Sequence, residues 1–526
     1  MRFRHSLVRT LAAVACLGAP LLVMTAYSAD AEFTAGLPPG LRPTLINVAR
    51  TTDRSLYGPQ IAVNPRDPNN IVVAAIADTG YTQACQASGD PNCEVVQTSF
   101  GFLTPAGYFN PTLGFLVRGV FVSFDRGRTF KEIDLFNFAP VGRPELYSQN
   151  EGGLSVGPDG TFYLQMNTLD WGSAMNFAPA AGVALSKSTD GGLTWSQPTL
   201  IGTPGDFPYL TVDQSTGTVY SLSGDSPLCL RQSCVDPNSP ILTTFSDAFL
   251  AASRDGVHWT QPRRAGGTDG VNQFDGSSGK DIAAAHGAVA TTFVSASAAG
   301  CAFFVGGAAP CTVFQTSTNA GATWSRHRVP VESTGVNTLV SADPSTPEHF
   351  TVAILSSSRT QFSVFQTRDS GKTWSGPTAV ASDGKTHWNP WLAYSSNPCQ
   401  RRDASWNTED VRCDHATDSE HGGNRPKSVL GLVWRTNEGA AFPALTPYSI
   451  WAATSDDGGL TFSQPLEVNC CSPAAVPGPF TGGNLFQDFS AIALDDQGVF
   501  VGWGDWRTGE RDIFFSAIKY QAFNHR

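Results

Sequence analysis

Past its N-terminal region the chain has no stretch near the roughly 20 consecutive apolar residues that a membrane helix needs, because Gly, Pro or a charge interrupts each hydrophobic run. That excludes a membrane span. There is no cluster of Lys or Arg either, and the formal net charge is -11. Nucleic acid and anionic membrane surfaces are therefore excluded as partners. No His stands at ligand spacing beside the cysteines, whose own spacings are irregular, so nothing indicates a cysteine-held metal.

What is present begins with Arg2, Arg4 and Arg9 ahead of an apolar run from Leu11 to Met24, the layout of an export signal. Small-residue cleavage sites follow Ser28 and Ala31, and the sequence does not separate them. Taking the later one, residues 1–31 are a signal peptide and residues 32–526 the mature domain. A lipidated Cys16 is disfavoured by Ala13 three places before it and by the apolar run continuing past it. The expected location is secreted or periplasmic.

Of eleven cysteines, ten remain after the signal and fall in sequence-local pairs: Cys85 with Cys93, Cys229 with Cys234, Cys301 with Cys311, Cys399 with Cys413, and the adjacent Cys470 and Cys471. An even count in an exported chain predicts disulfides.

Self-similarity decides the fold. Six segments share one template: Ser123-Phe-Asp125-Arg-Gly127-Arg-Thr129-Phe130, Ser188-Thr-Asp190-Gly-Gly192-Leu-Thr194-Trp195, a shortened Ser253-Arg-Asp255-Gly256-Val-His-Trp259, Ser317-Thr-Asn319-Ala-Gly321-Ala-Thr323-Trp324, Thr367-Arg-Asp369-Ser-Gly371-Lys-Thr373-Trp374, and Ser455-Asp-Asp457-Gly-Gly459-Leu-Thr461-Phe462. In this Asp-box the carboxylate can bond backbone N–H groups across a tight turn, Gly supplies a positive φ, and the aromatic anchors the hairpin to the layer beneath. Six copies cannot all be one active site, so these carboxylates are read as structural.

The Asp or Asn positions recur at intervals of 65, 65, 64, 50 and 88 residues, and four short strands surround each, which is a propeller blade. In the unit around Asp190 the strands are placed at Gly153 to Val156, Gly160 to Leu164, Gly182 to Leu185 and Gln197 to Ile201. A seventh unit, from Phe489 to Ile518, has three strands and no box; Thr44 to Val48 can supply its fourth and close the ring. The expected fold is all-β, a single propeller of seven four-stranded blades, with six as the alternative. All cysteine pairs except the last are expected between second and third strands.

The repeated box, with openings such as Asp206-Phe-Pro-Tyr-Leu-Thr-Val-Asp213 and the terminal Trp503-Gly-Asp-Trp-Arg507, resembles the sialidase-like Asp-box (BNR repeat) β-propeller proteins over nearly the whole mature chain. The resemblance implies a glycan-acting propeller, a sialidase-like glycoside hydrolase in the first instance. Polysaccharide lyases and non-catalytic glycan- or protein-binding propellers share the hairpin and stand as alternatives. Two features differ from the sialidases: there is no Arg-Ile-Pro motif, and the units number seven.

If the boxes occupy one face, a pocket belongs on the other, built from loops before first strands and after second strands. That rule selects Asp488, Asp505, Asp206 and Tyr147 as candidate catalytic groups, since glycosidic cleavage needs a carboxylic acid and a second carboxylate or Tyr. It selects Arg143, Arg507, Arg435, Trp388, Trp506 and Tyr209 for substrate, guanidinium forks for carboxylates and rings for sugar faces. Asp and Arg at strand ends also make inter-blade ion pairs, and Trp also packs between blades. His387, in His-Trp-Asn-Pro-Trp, reads as structural. No cofactor is required; calcium held by loop carboxylates stays open. The partner expected is a carbohydrate or glycoconjugate, and the protein is expected to be a monomer.

Overall fold

The computed structural model describes residues 36–49, 55–78, 116–135, 146–149, 152–170, 182–201, 206–224, 248–265, 272–273, 282–295, 311–331, 337–395, 428–437, 448–470, 490–505, 507 and 512–524. Among them lie seven antiparallel sheets arranged as a seven-bladed propeller. Each blade runs outward in chain order. The first is Ser55–Val63, Ile71–Asp78, Leu116–Ser123 and Lys131–Asp134, and the fifth is Asn337–Ala342, Phe350–Leu355, Phe362–Thr367 and Ser375–Val380. In the second and fourth blades the innermost strand is interrupted, as Leu146–Gln149 with Leu154–Val156 and as Asn272–Gln273 with Ile282–Ala285.

The seventh blade, Ser490–Leu494, Gly498–Asp505 and Asp512–Lys519, takes its outer strand from the N-terminal Ile46–Asn47, in register with Phe515 and Phe514. Val48 N donates to Ile513 O at 2.9 Å and Ala517 N to Thr44 Oγ1 at 2.8 Å, so the seam extends past the two paired residues. The ring closes by pairing the chain ends, and a closed ring leaves only short edges.

The core is divided among the blade junctions. Between the first and second blades Val72, Ala74 and Val120 meet Leu154, Phe162 and Leu164; between the fifth and sixth, Leu355, Phe362 and Val364 meet Leu392, Leu432 and Trp434. Each of the seven junctions has such a cluster. Central strands are consequently buried on both faces: Phe350–Leu355 and Gly498–Asp505 are buried at every position. That explains apolar runs without alternation in an antiparallel protein.

The six repeated turns form one hydrogen-bond pattern. In the second blade Ser188 Oγ donates to Asp190 Oδ1 at 2.8 Å and accepts from Gly192 N at 2.9 Å, while Asp190 accepts from Thr194 N at 2.9 Å and Thr194 Oγ1 at 2.6 Å. Where Asn319 replaces Asp, its Nδ2 donates to Thr323 Oγ1 at 2.9 Å. In the shortened copy His258 Nδ1, 2.7 Å from Asp255 Oδ2, takes the threonine's place. Each turn sits against the preceding blade: a Cβ on Gly192, which has φ +95°, would lie 2.8 Å from Val72, and one on Gly371, at φ +97°, 2.6 Å from Phe314. Glycine is required there by conformation and by contact.

One expectation is corrected. The segment with Cys399 and Cys413 falls between a first strand, Thr386–Tyr394, and a second, Leu430–Asn437, not between a second and a third. The blade without a box also has a substitute. The short helix Tyr520–Asn524 directly follows its third strand, and Ala522 and Phe523 join Leu37 in the cluster shared with the sixth blade. Of the cysteines, Cys311 and Cys470 are within the described residues and are disulfide-bonded; the positions paired with them in the sequence reading, Cys301 and Cys471, and the pairs Cys85 with Cys93, Cys229 with Cys234 and Cys399 with Cys413, lie outside. No described helix is long and apolar enough to cross a membrane.

Candidate functional site on the loop face

Strand direction sorts the molecule into two faces. Boxes and the turns after first strands share one, while the starts of first strands and the ends of second strands share the other. Asp206, which opens Asp206–Val212 opposite Gly224, Tyr147 in Leu146–Gln149, Trp388, Arg435 and Asp505 all fall on this second, loop face. The side chains of Asp206 and Tyr147, and the whole of Asp488, Arg143 and Trp506, lie outside what the structure describes.

At the end of the seventh blade's second strand, Asp505 is fully buried. Its Oδ2 accepts from Trp503 Nε1 at 2.9 Å and from Arg507 Nε and Nη2 at 2.9 and 2.6 Å, while Oδ1 accepts from Arg507 N at 2.9 Å. Both oxygens are engaged. In this geometry Asp505 anchors and orients Arg507, whose guanidinium carbon lies 4.8 Å from the Phe514 ring centroid. Arg507 Nη1 has no hydrogen-bond partner among the described residues.

The sixth blade holds two more of the residues selected from the sequence. Trp388 is 7% exposed, with Arg359 of the preceding blade 4.0 Å from its ring centroid, so the ring packs between blades instead of forming an open sugar platform. Arg435 is 3% exposed and lies 3.5 Å over Tyr448, whose hydroxyl donates to Gly504 O of the next blade. Arg435 is thereby linked, through Tyr448, to the strand that leads to Arg507. His387 is structural, as read: it is fully buried, with ring nitrogens near Thr436 Oγ1, Ala381 O and Asp383 Oδ1 at 3.1, 2.8 and 3.1 Å.

Sequence reasoning missed the axial cavity. About 140 Å³ in volume, it is lined by the second halves of all seven innermost strands, and Gln60, Tyr209 and Trp391 are its large polar or aromatic contributors where that lining begins. Tyr394, nearer the box face, also lines it. Burial, and then the charge of Asp343, push the Tyr394 hydroxyl well above its ordinary range, and it sits 2.7 Å from Thr351 Oγ1. It is a hydrogen-bonding group that stays protonated. Among the described residues no three His, Cys, Asp or Glu side chains group as metal ligands.

With this architecture the chain can be compared with known proteins. No protein-family model and no curated protein sequence matches it. Solved structures do. A Hadza microbial sialidase is 15% identical, with 91% of this chain and 96% of that one covered and a TM-score of 0.42. The Penicillium chrysogenum α-L-arabinanase complexed with arabinobiose is 14% identical over 79% and 99% of the two chains, TM-score 0.41. YCF48 bound to D1 peptide is 10% identical over 92% and 96%, TM-score 0.41. Two of these act on sugars and one binds a peptide, and activity has to be argued from the site.

Proposed function

We propose that the protein is an exported, carbohydrate-active propeller that engages an acidic glycan on its loop face, most simply as a glycoside hydrolase without a required cofactor. The observation that supports this is Arg507: a guanidinium fixed by a buried carboxylate through two of its nitrogens, with the third, Nη1, buried and without a hydrogen-bond acceptor among the described residues. A fork held in this way is pre-organised for a carboxylate, sulfate or phosphate on a ligand. Because Asp505 is committed to Arg507, an acid and a nucleophile or base would come from Asp206 and Asp488, with Tyr147 as the alternative nucleophile. Arg143 and Trp506 would complete the rim.

A second reading has its own support. With Asp505 neutralised by Arg507, the described part of the loop face offers the Arg507 cation but no close pair of free carboxylates, which suits a non-catalytic glycan binder. A panel of fluorogenic glycosides, run beside a glycan-binding screen, separates the two. Turnover that falls at least a hundredfold in Asp206→Asn or Asp488→Asn with binding retained supports the hydrolase; binding without turnover supports the binder. Absence of both would overturn the glycan reading.

A further inference from the structure

Three first strands carry the same irregularity at the same height. The pairing with the second strand slips between Tyr57 and Gln60 in the first blade, between Asp206 and Tyr209 in the third, and between Trp388 and Trp391 in the sixth. Each slip contains a proline, in Gly58-Pro59-Gln60, Phe207-Pro208-Tyr209 and Asn389-Pro390-Trp391. Gly58 and Asn389 have φ of 58° and 48°. Proline has no N–H for the ladder, and a bulge re-aims the side chain that follows it. In all three strands that side chain, Gln60, Tyr209 or Trp391, lies three residues before the strand's end and lines the axial cavity. At the same height the second blade has Gly153, where a Cβ would lie 2.2 Å from Leu210 Cβ, and the seventh has Ala491. The first, third and sixth blades are spread around a seven-membered ring, so the three residues line the cavity from different sides, with Tyr209 and Trp391 also packed against the clusters of the adjoining blade junctions.

The chemistry of this ring is specific. Among the described residues no Asp, Glu, Lys, Arg or His lines the cavity. Gln60 donates its Nε2 to Gly152 O, which fixes the amide, and its Oε1 is buried with no hydrogen-bond partner among the described residues. The same holds for Gln214 Oε1, whose amide nitrogen donates to Val156 O at 2.7 Å. Buried acceptors of this kind are almost always met by a donor. The cavity, about 140 Å³, is well below the roughly 300–1,000 Å³ that drug-sized ligands occupy. Two rings, fixed amide acceptors and no charge suit a ligand with apolar C–H faces and hydroxyl donors.

We infer that the axial cavity is a subsite for one uncharged sugar ring, with Trp391 and Tyr209 contacting its C–H faces and Gln60 Oε1 accepting from a hydroxyl. This rests on the glycan reading above and adds to it a neutral residue on the axis, nearer the box face than Arg507, which follows the loop-face end of its strand.

The test uses the full mature chain, with neutral monosaccharides and their methyl glycosides (glucose, galactose, xylose, arabinose) as probes in saturation-transfer NMR. The inference expects transfer to the ring C–H protons of at least one probe, lost in Trp391→Leu and weakened at least fivefold in Gln60→Ala, at unchanged far-ultraviolet circular dichroism and cooperative thermal unfolding. Arg507→Lys should leave it unchanged, and glucuronic acid should not compete. Transfer that survives Trp391→Leu, or that disappears in Arg507→Lys, would overturn the subsite. Should a misfolded Trp391→Leu leave only Gln60→Ala to read, undiminished transfer there would overturn it equally. If acidic glycans bind through Arg507 while no neutral probe binds, the subsite falls and the glycan reading stands; if neither binds, both fall.

Discussion

In each repeated turn the buried group is the hydroxyl, not the carboxylate. Ser188 is 2% exposed and is the acceptor for Gly192 N, whereas Asp190 is exposed. Removing the hydroxyl strands a buried N–H, which costs about 1–3 kcal/mol, while removing an exposed acceptor costs nearer the roughly 0.5–1.5 kcal/mol of an ordinary hydrogen bond. Ser188→Ala is therefore expected to destabilise more than Asp190→Ala in urea denaturation, and the opposite ranking would show the carboxylate to be the dominant group. The sequence identified the six turns because their spacing repeats, yet gave no indication of which atom is buried. It was equally silent on Asp505: an Asp two residues before an Arg is written identically for a catalytic carboxylate and for an anchor. Replacing Arg507 with Ala leaves that carboxylate buried and unpaired, and a loss of about 3–5 kcal/mol is expected.

Asp343 gives the clearest pH dependence. Burial raises its pKa, but hydrogen bonds from His349, 2.8 Å away, and from Ser345 outweigh that and hold it at about 2. A carboxyl lowered from an unfolded value near 3.9 contributes stability that is complete above that value and lost as pH falls toward 2. From the shift this is on the order of 2 kcal/mol. Asp343→Asn should flatten the fall in stability between about pH 4 and pH 2; an equally steep fall would assign acid lability elsewhere, for instance to Asp369, which burial raises but hydrogen bonds from Thr373 and Thr367 bring to about 2.

At the scale of elements, the seam between the sixth and seventh blades differs from the rest. Elsewhere a box turn covers the junction, but here Leu37 and the terminal helix do so, with Tyr520 Oη donating to Asp495 O at 2.7 Å. Deleting residues up to Arg50 removes a strand and part of this cover, and should abolish cooperative thermal unfolding; deleting from Tyr520 onward should lower the melting temperature while leaving the strands in place. Unchanged melting curves would show that the termini do not close the ring. That the chain ends pair was legible from a unit one strand short. The helix as replacement for a box was not, because five residues carry no pattern. The insertion with Cys399 was misplaced because the order of strands around it was inferred from the other blades.

For the molecule as a whole, the structure separates a box face that holds blades together from a loop face that carries Arg507. Blade count and division of faces could be read from repeat period and strand order alone. The axial cavity could not, since Gln60, Tyr209 and Trp391 are far apart in sequence and meet only when the ring closes. The most direct measurement is acidic-glycan binding by the wild type, Arg507→Lys and Asp190→Ala at matched folded fraction. Arg507→Lys keeps the charge beside Asp505 but loses the fork, and at least tenfold weaker binding with little change in melting temperature is predicted; Asp190→Ala should melt earlier and bind as the wild type does. Intact binding in Arg507→Lys with binding lost in Asp190→Ala would place function on the box face and contradict this account.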